Sequence, residues 1–255
     1  MKDLKQFYIL IVIISVLWAL IYSLTNMSGY TLIGIMLIIG IFAGVFGFSI
    51  NRVNKINKLI PILSDCEPEK FVYENELLYK KYSKDKYLKN LILNNLCAGN
   101  MDKGEFDKAV NALKNTEFKE KKIDIIKASV IYNFSSVSFE LKDIQTAMFY
   151  YEKLKSYRDL TKDKNVLLFL EKNIPALDAV IDIEQGRYEQ ALVFFQNQFK
   201  QAPDLRMRVY SQYGMSGAYE GMGETVQMKA CLEYVAANGK NTYPARVARE
   251  KLGGL

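Results

Sequence analysis

The chain has 255 residues, half of them hydrophobic, with 34 Lys and Arg against 28 Asp and Glu, a net charge of +6 and no histidine. Without His there is no Ser-His-Asp or Cys-His catalysis, no His-ligated zinc and no imidazole pH switch. No charged residue occurs from Gln6 to Asn51, so much of the apolar content forms one block.

Two runs in that block have the length of membrane spans. About 20 apolar residues in a helix cross the ~30 Å hydrocarbon core of a bilayer. Residues 7–24 and 31–50 meet that requirement, and Thr25 to Tyr30 between them reads as a short turn-rich link. The expectation is a transmembrane helical hairpin within residues 1–51. A cleaved signal peptide is the rival for the first run, but its end, Ser23-Leu24-Thr25-Asn26, has no small-residue cleavage site, and a second run follows at once. Lys2 and Lys5 precede the first run, and Arg52, Lys55 and Lys58 follow the second. The positive-inside rule then puts both termini in the cytoplasm of a cell, with a prokaryotic membrane as the expected setting. Arg52, Lys55 and Lys58, spaced i, i+3, i+6, are the candidate membrane-interface residues. Gly40 and Gly44 form a GxxxG, a groove for close helix packing either within the hairpin or between two copies of the chain. Neither run carries an ionisable residue, which argues against a transport role.

Residues 52–86 read as a juxtamembrane linker followed by an N-terminal helix or cap that Pro68 opens. Beyond them, apolar residues recur at helical spacing, as in Phe106, Ala109, Val110 and Leu113. The prolines at 61, 68, 175, 203 and 244 are expected at helix ends. The fold class is therefore all-α. Four segments share one pattern: a turn residue, a large residue at +2, a small or medium one at +5 and a large one at +9. They begin at Gly104, Lys142, Gly186 and Gly223 and place Ala109, Ala147, Ala191 and Met228 at +5. The turn ends one helix and opens the next, the +5 residue lets helices approach, and the large residue plugs the neighbouring unit.

These residues resemble the tetratricopeptide repeat family, in degenerate form, from about Tyr87 to Val235. Gly186, Tyr188 and Ala191, with Phe195 and Pro203 after them, carry the likeness best. The +5 positions lie 38, 44 and 37 residues apart, longer than the family period of about 34, and Lys142 and Met228 replace the usual Gly and Ala. The resemblance implies stacked helical pairs over residues 87–255, closed by a C-terminal capping helix from Tyr243. It also implies a concave face that takes a protein or peptide. By alignment, Asn95, Tyr132, Asn133, Tyr210 and Tyr213 occupy groove positions, where an Asn amide can both donate to and accept from a peptide backbone.

Cys66, Cys97 and Cys231 are too far apart for a disulfide framework or zinc knuckle. No phosphate loop, EF-hand or HExxH occurs, so no catalytic residue, metal or cofactor is assigned. The tail has no concentrated basic stripe, which argues against nucleic acid. The expected function is a membrane-anchored scaffold or adaptor for a protein or peptide, in contact with the lipid bilayer and open to homo-oligomerisation through the hairpin. The alternatives are a membrane-bound peptide sensor or an enzyme of unrecognised type.

Overall fold

A computed structural model of the chain describes residues 15–16, 29–118 and 123–254. Every regular element among the described residues is helical. The chain divides into two units, Met1–Asn54 and Lys55–Leu255.

Among the described residues, helix α1 spans Gly29–Asn57, most of it in the first unit. Gly29 and Tyr30, expected in the link, are already helical because nothing after Gly29 breaks the apolar helix. The segment Gly34–Ser64 contains an 18-residue window of mean hydropathy 2.0, long and apolar enough to cross a membrane, and none of that window is buried within the chain. Leu37, Ile41, Phe42 and Phe48 are among its exposed side chains. A Cβ placed on Gly40 or Gly44 would meet nothing within 4 Å among the described residues. Arg52 lays its guanidinium 3.9 Å over the Phe48 ring. The first expected span, residues 7–24, lies outside the described residues except for Ser15 and Val16, which are helical.

The second unit holds α2 (Ile60–Ser64), α3 (Pro68–Tyr82), α4 (Lys86–Asp102), α5 (Phe106–Lys114), α6 (Ile125–Glu140), α7 (Ile144–Leu160), α8 (Lys164–Glu184), α9 (Tyr188–Gln201), α10 (Leu205–Met222), α11 (Thr225–Asn238) and α12 (Tyr243–Gly253). Aspartates open the longer helices. The side chains of Asp85, Asp124, Asp163 and Asp204 accept from first-turn amides of α4, α6, α8 and α10, and Asp143 does so for α7. Each supplies an acceptor to donors that lack an intrahelical partner.

Three-residue turns join α4 to α5 and α6 to α7, and turns of similar length join α8 to α9 and α10 to α11. Such short links force the paired helices to run antiparallel. The backbone reverses through a left-handed residue each time: Gly104 at φ 71°, Lys142 at 59°, Gly186 at 76° and Gly223 at 75°. These are the four turn positions of the sequence pattern. Lys142 has a Cβ that crowds the following carbonyl in this conformation. Lys142→Gly is therefore expected to stabilise the fold by about 0.5–1 kcal/mol, after allowing for the exposed ion pair it removes. Chemical denaturation of both proteins checks this, and a lower midpoint for the variant contradicts it.

The +5 residues Ala109, Ala147, Ala191 and Met228 are all buried, as are the large residues Leu113, Phe195 and Leu232. The first helices of successive pairs also pack on each other, α4 on α6, α6 on α8 and α8 on α10. The crowded side of the row is thus the side of these first helices, and we call it the inner face. Four prolines sit at helix starts or between helices, but Pro175 lies inside α8, contrary to expectation. Leu170, Ile174 and Leu177 around it are buried in the core shared with α6 and α7. That packing holds a helix of 21 residues together although the proline removes one of its hydrogen bonds.

The two ends of the row meet. α12 packs on α4, and α2 packs on α10. Cys66, after α2, is buried in one cluster with Val209, Leu232, Val235 and Ala248. Arg246 donates to the Lys103 carbonyl, Lys240 pairs with Glu67 at 3.0 Å, and Tyr243 meets the Phe106 ring edge-on at 5.0 Å. Gly104 is needed at this joint twice over. Its backbone is left-handed, and a Cβ would come within 2.6 Å of the Tyr243 ring.

Candidate functional site

Where the ends meet, the inner face carries an uncommon concentration of polar chemistry. Asp102, the last residue of α4, is fully buried. Arg206, in the first turn of α10, reaches it with two hydrogen bonds, Nε to Oδ2 at 2.5 Å and Nη2 to Oδ1 at 2.7 Å. Tyr210, one turn further along α10, donates its hydroxyl to the same Oδ1 at 2.8 Å and lies 4.8 Å beneath the Arg206 guanidinium. Burial alone would lower the pKa of Arg206, but the Asp102 charge and hydrogen bonds outweigh it and hold it above the ordinary value. A fork-to-fork pair of this kind fixes direction as well as charge. It ties the first repeat-like pair to the last across 104 positions of sequence.

Two helix faces extend from this pair. On α10, Arg206, Tyr210 and Tyr213 follow each other at i, i+4, i+7. On α6, Tyr132, Ser136 and Glu140 follow at i, i+4, i+8, and such spacings keep side chains on one side. Tyr132 is half-buried, meets Phe169 edge-on at 6.2 Å and lies within the field of Arg206. Burial pushes its hydroxyl pKa up. Burial does the same for Tyr210, Tyr213 and Tyr243, and in all three the Glu140 charge adds to the rise. Glu140 is open to solvent, yet the protein around it removes enough water to raise its own pKa. One carboxylate is thus within electrostatic reach of phenols from α10 and α12.

Of the five residues expected in a groove, Tyr210 sits on the Asp102–Arg206 pair, Tyr213 follows it one turn further along α10, and Tyr132 of α6 lies within the field of Arg206. Asn95 and Asn133 lie elsewhere, only 6% and 9% exposed, in the seams between helices. The Asn95 amide donates to Asn75 Oδ1 of α3 at 3.2 Å, and the Asn133 amide donates to Asn94 Oδ1 of α4 at 2.9 Å. Both serve as rivets between neighbouring helices in this structure. Asp102, Arg206, Glu140 and Tyr243 are the members of the cluster that the sequence reading left out. The spacing of Arg206, Tyr210 and Tyr213 was a visible signal for one side of it. Among the described residues, no group of three or more Cys, Asp or Glu could hold a metal ion.

The three cysteines are buried and unpaired. Burial pushes the Cys66 and Cys231 thiols up to about 11, and that of Cys97 further. The thiolate is the reactive form, so raised values suppress it at neutral pH. Iodoacetamide at pH about 8 is expected to leave all three unmodified in the folded protein and to modify all three after unfolding. Intact mass reads the result, and rapid native alkylation of any one would contradict the packing described.

Comparison of the chain with family models, curated proteins and solved structures returns no match.

Proposed function

We propose that the chain is a membrane-anchored adaptor whose cytoplasmic part is a tetratricopeptide-like solenoid that holds a protein or peptide partner on its inner face. The observation that carries this reading is the buried Asp102 bound by Arg206 with Tyr210 beneath the guanidinium, flanked by half-buried Tyr213 further along α10 and by half-buried Tyr132 of α6 within the field of Arg206. Tyrosines offer large, stiff contact area with a polar tip, and Arg adds a planar donor, the residue types that dominate recognition surfaces. The left-handed turn at each of the four pattern positions and the stacking of first helices support the solenoid.

The apolar, unburied window in Gly34–Ser64 supports the anchor, since an exposed apolar helix of that length is stable only against lipid or another apolar surface. In this reading residues 7–24 supply the second arm of a hairpin, both termini are cytoplasmic, and Arg52, Lys55 and Lys58 meet the headgroups. Gly40 and Gly44 give the hairpin, or a second copy, a close-packing face. A peptide sensor is the second reading. It is favoured by the joined ends of the row, because a ligand lying beside Asp102 and Arg206 would bear on the joint itself.

The test uses the full chain, tagged and crosslinked in intact cells. A partner recovered with the native protein and with Val226→Asp, on the outer surface, but lost with Tyr213→Ala supports the inner face. The same partner retained by Tyr213→Ala and lost with Val226→Asp refutes it.

A further inference from the structure

We propose that the outward face of α3, ending in Lys80, Lys81 and Lys84, lies against a bilayer surface of anionic lipid headgroups. The inference rests on the membrane-anchor reading of α1 and goes beyond it, because it gives a helix of the second unit its own contact with lipid.

The two sides of α3 are sharply divided. Phe71, Val72, Asn75 and Tyr82 turn to one side of the helix and are buried. Lys70, Tyr73, Leu77, Lys80 and Lys81 fall within an arc of about 100° on the opposite side, and all five are exposed. Lys84, in the turn that follows, is exposed as well. The principal packing partners of α3 are α4 and α2. Lysines near the end of a helix suit its dipole. The dipole does not account for Tyr73 and Leu77, left 58% and 42% exposed on the same arc.

Charge selects the occupant. The acids of α3, Glu69, Glu74 and Glu76, all precede Leu77 and flank the arc. From Lys80 to Lys89 there are five lysines and one acid, Asp85, which caps α4. Lys86 and Lys89 pair with Glu117 at 3.6 and 2.7 Å, whereas Lys80, Lys81 and Lys84 make no ion pair with another described residue. Tyr87, 52% exposed in the first turn of α4, extends the same end. Free ammonium groups beside exposed Tyr and Leu match the headgroup zone, where the ammonium meets phosphate and the stems and rings rest at the acyl boundary. An acidic peptide would also answer the lysines, but the bilayer is already at hand. Ten residues, 58 to 67, join α1 to α3, a reach of at most about 35 Å. A surface tethered so closely meets its target at high effective concentration, so individually weak lysine contacts suffice.

The probe is the fluorophore NBD attached to Leu77→Cys in the full chain, whose native cysteines are buried. The protein is placed in nanodiscs that carry a doxyl-lipid quencher, made of phosphatidylcholine with or without about 30% phosphatidylglycerol. The same label on Phe42→Cys reports α1, and on Val226→Cys an exposed position of α11. Quenching at position 77 is expected with the anionic lipid and to be at least about threefold weaker without it, with none at 226 in either. Lys80→Gln/Lys81→Gln/Lys84→Gln should lose the quenching, whereas Lys80→Arg/Lys81→Arg/Lys84→Arg, which keeps the charge, should retain it. Quenching at 42 but not at 77 overturns the headgroup contact and leaves the anchor standing. Equal quenching at 77 in both lipids, or quenching unchanged by the Gln replacements, overturns the recognition of anionic lipid. If position 42 is unquenched too, the anchor reading fails and the lipid surface with it. A label at 77 that lipid leaves unquenched but polyglutamate shifts to the blue would assign the face to an acidic peptide instead.

Discussion

Arg206→Ala is expected to destabilise the second unit, Lys55–Leu255, by about 3 kcal/mol. The reason lies less in the lost attraction than in what remains. Asp102 is fully buried, and without Arg206 its charge would face only the Tyr210 hydroxyl. Removing one partner of a buried pair strands the other, and the figure sits at the lower end of the usual range because Arg206 keeps 34% of its side chain exposed. Arg206→Lys should recover only part of the loss, since an ammonium cannot make the two parallel hydrogen bonds. The double replacement Asp102→Leu/Arg206→Met should be far milder than the single one, because no buried charge is left unpaired. Urea unfolding of the four proteins in one detergent decides the matter. An Arg206→Ala protein within about 0.5 kcal/mol of the native one would mean that the pair does not join the ends of the row.

Phe71→Ala is expected to cost about 3–5 kcal/mol. Phe71 is fully buried in α3, and it packs so closely on α4 that a Cβ at Gly99 would come within 2.9 Å of its ring. Truncation leaves a cavity that two helices held by a three-residue turn cannot readily close. The cost should appear in urea unfolding as a lower midpoint with little change in slope. A loss below about 1 kcal/mol would show that α3 is a loosely attached flank rather than the first layer of the core.

How the sequence relates to the structure differs from place to place. The spacing that marked Ala109, Ala147, Ala191 and Met228 is local, and local periodicity is what defines a helix face, so these positions are buried as their pattern implies. The turn residues were equally legible. Lys142 looked like a departure from the pattern, yet it adopts the same left-handed backbone as the three glycines. The meeting of the ends was not legible. Asp102 and Arg206 are separated by 104 positions, and with 34 basic and 28 acidic residues nothing in the chain marks that pairing among the many possible ones. The burial of Asn95 and Asn133 was also hidden. An amide reads the same whether it grips a ligand or a neighbouring helix, and only the partners Asn75 and Asn94 tell the two apart. Pro175 shows the reverse effect, a strong local signal overruled by the packing of its neighbours.

The most direct test of the adaptor reading is a photo-crosslinking amino acid placed at Tyr213 or at Val226 of the full chain in native membranes. Tyr213 is half-buried on α10, one of the first helices whose side forms the inner face, and Val226 is 80% exposed at the start of α11. The account predicts a discrete protein or peptide adduct at position 213 and none at 226. An adduct at 226 with none at 213 would contradict it and move the binding surface to the other side of the row.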